Sequence, residues 1–181
     1  MNGSRRAVIL VCLAAVVLSG CGKKIDPNEA LTRGLREQQA GNLDAAQDAY
    51  LQVLDVQPRN KYALYDLGVI EQTRGRNDLA EGYYREALDV DPQMEGALFN
   101  LAIIRTKVGA TQEAIDLYRG AIAAGPDNAR AHYNLGLLLE RVGSQHEGVA
   151  EIKLAIQLDP TLLKGTATAP TPTGSDAPPA P

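Results

Sequence analysis

The sequence predicts an all-α fold, a solenoid of four helix–turn–helix units with an additional segment at each end. The composition is 45% hydrophobic but only 4% aromatic, with no tryptophan, which is typical of helical proteins built from small, similar interfaces. Prolines recur at a constant spacing from Pro58 to Pro160, and glycines keep the same spacing from Gly41 to Gly143. A fixed period of about 34 residues indicates stacked copies of one supersecondary unit.

The first segment, residues 1–20, has the composition of a secretory signal peptide. Arg5 and Arg6 give it a positively charged start, and Ala7–Leu18 is an unbroken apolar run that is followed by two small residues. A helix that crosses a membrane needs roughly 20 apolar residues, more than this run provides. The pattern therefore favours a signal peptide over a permanent transmembrane helix.

Cys21 stands directly after this segment, at the end of the sequence "LSGC". These four residues resemble the lipobox of bacterial lipoproteins. The resemblance implies that the Cys21 thiol carries a diacylglyceryl group, that cleavage makes Cys21 the mature N-terminus, and that Cys12 is lost with the signal peptide. The two cysteines fit neither a metal-binding spacing nor a disulfide framework.

The same resemblance predicts where the protein is found. Residues 21–26 become the lipidated cysteine and a short linker, and the exported protein is anchored by lipid in the bacterial cell envelope. In a host that has an outer membrane, we expect the protein on its periplasmic face. Acyl chains bind a bilayer at about 0.8 kcal/mol for each buried methylene, so two or three of them make a firm anchor.

The repeat units are predicted at residues 27–60, 61–94, 95–128 and 129–162. In each unit the glycine can adopt the left-handed conformation that closes a first helix, and the proline ends the second helix. Small residues allow the two helices to approach, and a ring fills the space beside them. The small and ring positions are, in order of unit, Gly34, Gly68, Ala102 and Gly136; Ala46, Ala80, Ala114 and Gly148; and Tyr50, Tyr84, Tyr118 and Ile152.

These positions are those of the tetratricopeptide repeat, which the chain resembles over residues 27–162. The segments "ALFNLAIIRTKVGATQEAIDLYRGAIAAGP" and "AHYNLGLLLERVGSQHEGVAEIKLAIQLDP" match its pattern well. The first unit matches least well, because Arg33 occupies the position of Leu67 in the second unit. Capping signals predict helix starts at Asp26, before Pro27, and at Ser144.

Both ends of the predicted solenoid differ from its middle. Only "TLLK" follows Pro160, so no further helix covers the fourth unit, and its end is a candidate surface for self-association or for a partner. The alternative is that this end is polar enough to face water, through Gln145, Glu147, Glu151 and Lys153. The final segment, residues 163–181, is rich in proline, alanine and threonine and is predicted to be disordered.

The sequence offers no catalytic site, and it predicts neither a cofactor nor a metal. The two histidines, His132 and His146, lie on different predicted helices, and a zinc site needs three or four ligands. His132 occupies the position of Leu64 and Leu98, which predicts a half-buried packing residue. No phosphate-binding glycine loop or nucleophile motif occurs. A net charge of −4 excludes the basic footprint of a nucleic-acid-binding protein.

Resemblance to the repeat family implies that the first helix of each unit lines a concave groove that binds a protein or peptide. Asparagine amides can pair with the backbone of an extended peptide, and rings offer apolar contact area. Val69, Ile103 and Leu137 replace an asparagine that carboxylate-binding members carry, so no carboxylate clamp is expected. The predicted groove residues are Tyr62, Tyr65, Asp66, Val69, Phe99, Asn100, Ile103, Arg130, Tyr133, Asn134 and Leu137.

Three functions fit these features. The favoured one is a membrane-anchored scaffold that mediates protein–protein interaction or the assembly of an envelope complex. Lipid-anchored repeat proteins of similar layout also serve as pilotins, which assist an outer-membrane secretin or type IV pilus. The third function is that of a non-catalytic regulatory subunit of an envelope enzyme. The sequence alone leaves these three open.

Overall fold

The computed structural model describes residues 25–163, which form an all-α solenoid, as the sequence predicts. Each helix packs against the helices that precede and follow it in the chain, and the described residues contain no strand. A short 3-10 turn, Pro160–Leu163, ends the domain. The helices are α1 Pro27–Gln39, α2 Leu43–Val56, α3 Lys61–Thr73, α4 Asn77–Val90, α5 Glu95–Lys107, α6 Thr111–Ala124, α7 Ala129–Arg141 and α8 Gln145–Leu158.

The turns confirm the roles predicted for glycine and proline. Gly41, Gly75, Gly109 and Gly143 have φ angles of 80°, 77°, 77° and 89°, in the left-handed region where a side chain would be strained. Each lies in the turn that joins the two helices of a unit. The second helix of each unit ends two residues before its proline, because the residue preceding a proline disfavours helical conformation.

The two predicted helix starts lie where the sequence placed them, with one difference in bonding. Asp26 caps α1, since its Oδ1 atom accepts a hydrogen bond of 2.9 Å from the backbone amide of Asn28. Ser144 is the residue before α8, but its side chain accepts no capping hydrogen bond. The carboxylate of Glu147, three residues on, instead bonds Arg119 of α6 at 2.7 Å.

Small residues are required where the two helices of a unit cross. A methyl group added at Gly68 would lie 2.5 Å from the Cε1 atom of Tyr84, well inside van der Waals contact. In the fourth unit Ile152 replaces the ring, and the helices meet backbone to backbone: a methyl group at Gly136 would lie 2.8 Å from the carbonyl oxygen of Gly148. The packing predicted for these positions is therefore confirmed.

The apolar core runs along the solenoid and links each unit to the next. Leu67 at the start of the second unit is fully buried against residues of the first unit, among them Tyr50 and Val53. Arg33 holds the equivalent position in α1, the first helix that the structure describes, and donates a hydrogen bond of 2.7 Å to Gln52. The N-terminal end of the solenoid is therefore polar. Within residues 25–163, none of the helices combines the length and apolar character that a membrane crossing requires.

His132 is more deeply buried and more specifically bonded than the half-buried packing residue that the sequence predicts. The residue is 4% exposed, with Nδ1 2.6 Å from the Glu151 carboxylate and Nε2 2.9 Å from the carbonyl oxygen of Pro126. Glu151, predicted to belong to a polar outer face, turns inward to make this contact. The pair ties α7 to α8 and to the turn that precedes α7.

Candidate protein-binding groove

The structure divides the predicted groove residues of α3, α5 and α7 by accessibility. Leu137 is 42% exposed, and the other accessible members are half-buried. The inaccessible members are at most 5% exposed. The half-buried members are Tyr62, Arg130, Tyr133 and Asn134, and the buried ones are Tyr65, Asp66, Val69, Phe99, Asn100 and Ile103.

The tyrosines at the ring position explain why two polar groove residues, Asp66 and Asn100, are buried. The hydroxyl of Tyr84 donates a bond of 2.7 Å to Gln72 in its own unit and lies beside the Asn100 amide of the next unit, which partly offsets the effect of burial on the Tyr84 pKa. Asn100 reaches back through its Nδ2 atom to the hydroxyl of Tyr65, at 3.3 Å. We call this arrangement a tyrosine bridge, because one hydroxyl lies between the first helices of two consecutive units.

Two further tyrosine bridges repeat the pattern. Tyr50 donates a hydrogen bond of 2.8 Å to Gln38 in its own unit and lies beside Asp66 of the next, whose carboxylate adds to the rise in the Tyr50 pKa. Tyr118 lies likewise between Thr106 of its own unit and Asn134 of the next, and both partly offset the rise in its pKa. Burial raises the pKa of Tyr118 to about 12, because a phenolate would lose its hydration in this interior. Burial likewise raises the pKa of Tyr50 and Tyr84 above the usual range. These hydroxyls therefore remain protonated, and those of Tyr50 and Tyr84 donate to a glutamine of their own unit.

The accessible part of the groove centres on a cavity of about 230 Å³ between α5 and α7. Its floor is apolar, and Asn134 and Thr106 add polar groups. A volume of this size is below that of most small-molecule pockets and suits one or two amino-acid side chains. The lining residues are Ile103, Thr106 and Lys107 of α5, Tyr118 of α6, and Asn134, Leu137, Leu138 and Arg141 of α7.

Two cations at the rim of this cavity were not singled out by the sequence prediction. Lys107 and Arg141 occupy the same position in consecutive units, where the first two units carry Gln39 and Thr73. A cation at the same position of two consecutive units is the sequence signal that could have identified these two residues. A cation in the last turn complements a helix dipole, but α3 ends without one, so helix formation does not require it at this position.

Lys107 and Arg141 also differ from the neighbouring cations in their partners. In the described part of the chain neither has an acidic partner, whereas Arg105 bonds Glu81 at 3.1 Å and Glu113 at 2.7 Å. Hydrogen bonds from Arg85 and Arg105 hold the pKa of Glu113 below its usual range. The two rim cations therefore retain the capacity to bind an anionic group from outside.

Of the remaining accessible members, Tyr62 and Arg130 do not line this cavity and have contacts of their own. Lys61 forms an ion pair of 2.6 Å with Asp91 and lies 5.0 Å from the ring centroid of Tyr62. Arg130 lies 5.3 Å from the centroid of Phe99, a cation–π distance. No group of three or more His, Cys, Asp or Glu side chains between residues 25 and 163 could hold a metal ion. Ligand contact by the full predicted set remains a prediction.

A stack of helix hairpins in which each unit packs only against its neighbours is the architecture of α-solenoid repeat proteins. Sequence models of the tetratricopeptide repeat match residues 31–95 and 129–162, and a TPR repeat model matches residues 104–143. The chain therefore contains a tetratricopeptide repeat domain between residues 31 and 162. No curated protein matches the sequence significantly.

Solved structures share the fold. A crystal structure of MamA has a TM-score of 0.67 and 21% identity, and the match covers 77% of this chain and 82% of that one. MamA from Desulfovibrio magneticus RS-1 has a TM-score of 0.64 and 18% identity, over 75% of this chain and 77% of that one. A Thermobaculum terrenum O-GlcNAc transferase mutant has a TM-score of 0.57 and 28% identity, over 62% of this chain but only 22% of its own. These similarities concern the fold.

Proposed function

We propose that this protein is a non-catalytic, lipid-anchored scaffold of the bacterial cell envelope that captures a segment of a partner protein. The observation that carries the proposal is the cavity between α5 and α7, which combines an apolar floor with two cations at its rim. Repeat solenoids commonly present such inner surfaces to protein partners. The membrane anchor rests on the resemblance of residues 1–21 to a lipoprotein signal, which lies outside the described residues.

The chemistry of the cavity defines the segment that fits it. An apolar side chain can bury itself against Ile103, Leu137 and Leu138, at about 25 cal/mol per Å² of apolar surface removed from water. An acidic group beside it can pair with Lys107 and Arg141, and a guanidinium binds carboxylates in two-pronged fashion. The favoured ligand is therefore an apolar residue flanked by an acidic one.

A photo-crosslinking amino acid at Leu137 tests this site in the native host. We expect it to capture a partner segment in which an apolar residue neighbours Asp or Glu, identified by mass spectrometry of the crosslinked peptide. The matched control is the same amino acid at Val108, which is 61% exposed and next to Lys107 but does not line the cavity. Equal crosslinking from both positions would argue against the cavity as the site.

Charge reversal tests the role of the rim. We expect the double variant Lys107→Glu, Arg141→Glu to reduce the crosslinking yield at Leu137 by at least tenfold, because both cations become repulsive to an acidic segment. Both side chains are exposed, so helical circular dichroism is expected to stay unchanged. An undiminished yield in the folded double variant contradicts the acidic component of the ligand. The captured partner itself separates the pilotin and regulatory-subunit alternatives, since a secretin supports the first and an envelope enzyme the second.

Anchoring is expected to depend on Cys21. The variant Cys21→Ala lacks the thiol that accepts the lipid, so we expect an unprocessed precursor that takes up no fatty-acid analogue during metabolic labelling. The control is Cys12→Ala, which removes the other cysteine within the signal segment and is expected to label normally. Equal labelling of Cys21→Ala and the unmodified protein would refute the lipid anchor and leave the cavity proposal untouched.

A further inference from the structure

The C-terminal end of the solenoid presents an apolar surface that no helix within residues 25–163 covers. We call it the end face; it surrounds an open cavity of about 480 Å³ lined by Glu140, Val149, Ile152, Lys153, Ile156 and Gln157. Val149 is 51% exposed, while Ile115, its equivalent one unit earlier, is 3% exposed in the core cluster that α6 forms with α7. The end face therefore has the apolar character of a buried interface between units.

The chain that follows has no side chains suited to this surface. Residues 164–181 contain no valine, leucine, isoleucine, methionine or aromatic residue. Their threonines, alanines and prolines provide little apolar area for burial against Val149 and Ile156. The C-terminal segment is therefore a poor occupant of the end face.

The N-terminal end of a second solenoid is also a poor match. In head-to-tail stacking, α1 of one copy would take the place of the missing helix. The position through which each first helix packs against the preceding unit is held by Leu67, Leu101 and Leu135, which are at most 1% exposed, but by Arg33 in α1. Stacking would place the Arg33 guanidinium on apolar side chains and cost its hydration. The polar N-terminal end thus disfavours filaments.

A two-fold contact between two end faces satisfies both the apolar and the charged groups. Glu140 and Lys153 lie on the end face, and within residues 25–163 neither has an ion-pair partner. In an isologous contact, residue i of the first copy meets residue j of the second, and residue j of the first copy meets residue i of the second. We propose that the protein forms a two-fold dimer through the end face, with Val149 and Ile156 buried at its centre and Glu140 of each copy paired with Lys153 of the other.

The size of the end face sets the strength of this dimer. The contact rests mainly on α8, whose 14 residues span about 21 Å at 1.5 Å per residue. One helix face buries less than the roughly 1,200–2,000 Å² of a stable standard interface. The dimer is therefore weak and depends on protein concentration.

Sedimentation equilibrium of the detergent-solubilised full chain tests the proposal. We expect a monomer–dimer equilibrium that Val149→Glu weakens at least tenfold, because it places two like charges at the centre of the contact. The matched control is Leu154→Glu on the same helix; Leu154 is 39% exposed but lies about 140° further round α8. A protein that stays monomeric, a dimer that Val149→Glu leaves intact, or assemblies that grow beyond dimers would each overturn the proposal.

Charge exchange tests the two-fold arrangement without changing an apolar residue. Lys153→Glu and Glu140→Lys are each expected to weaken self-association about fivefold or more, because each leaves like charges opposed across the contact. A mixture of the two variants restores both ion pairs in a heterodimer. We therefore expect the mixture to dimerise more tightly than either variant alone, and a mixture that is no tighter contradicts the arrangement. Helical circular dichroism of each variant verifies that α8 remains folded.

Discussion

Gly148→Ala is expected to lower the free energy of unfolding by about 1–3 kcal/mol, although alanine occupies the equivalent position in the other three units. A methyl group at Gly148 would lie 2.7 Å from Cγ of Glu140 and 2.8 Å from the carbonyl oxygen of Gly136. The second of these is a backbone atom, which cannot move aside as a flexible side chain can. The alanine found elsewhere in the repeat therefore does not fit this unit.

Urea denaturation followed by far-ultraviolet circular dichroism measures this effect. The control is Gly82→Ala, on the exposed side of α4, where an added methyl group meets no atom within 4 Å. Alanine loses less conformational freedom than glycine in a helix, so this change is expected to raise the free energy of unfolding by about 0.5–1 kcal/mol. If Gly148→Ala stabilises the protein as Gly82→Ala does, the close crossing of α7 and α8 is wrong.

Tyr84→Phe is expected to lower the free energy of unfolding by about 1–3 kcal/mol while leaving the ring packing intact. The hydroxyl that is lost donates to Gln72 at 2.7 Å and lies beside Asn100, and these two residues are 7% and 0% exposed. In the variant these buried amides lose a partner that water cannot easily replace, and an unsatisfied buried polar group costs most of its desolvation free energy. The tyrosine bridge would thus be a main contributor to coupling between the second and third units.

Tyr83→Phe is the matched control for that measurement. Tyr83 is the adjacent residue, is half-buried, and its hydroxyl makes no hydrogen bond within the described residues. Its removal is expected to change the free energy of unfolding by less than about 0.5 kcal/mol. Equal effects of the two substitutions in urea denaturation would show that the bridge contributes nothing beyond the ring itself.

Local chemistry explains why most of the fold was predictable. A glycine that must adopt positive φ, such as Gly75, and a proline that must end a helix, such as Pro92, act within a few residues of themselves. Their spacing therefore fixes the order and length of the helices. The bonding of Ser144 was not predictable in this way, because Glu147 is drawn to Arg119 on another helix.

The groove was harder to predict because accessibility depends on neighbouring units. The repeat pattern placed Asp66 and Asn100 on the first helices, but it did not show that they are buried beside tyrosines of the preceding units. Lys107 and Arg141 share a position only in the last two units, so no pattern common to all four units marks them. The lipid on Cys21 and the disorder of residues 164–181 lie outside the described residues and remain predictions.

The tyrosine bridges end at α7, and the last unit differs from the other three because it has no tyrosine at the ring position. Asn134 receives the final bridge, and Ile152 has no hydroxyl with which to continue the series. In a fold whose units are coupled only to their neighbours, the terminal unit is the first to fray. That unit also supplies one wall of the cavity between α5 and α7. A segment held there at a hundredfold excess over its Kd would stabilise the docked last unit by about 2.7 kcal/mol, so occupancy of the cavity and rigidity of that unit would rise together.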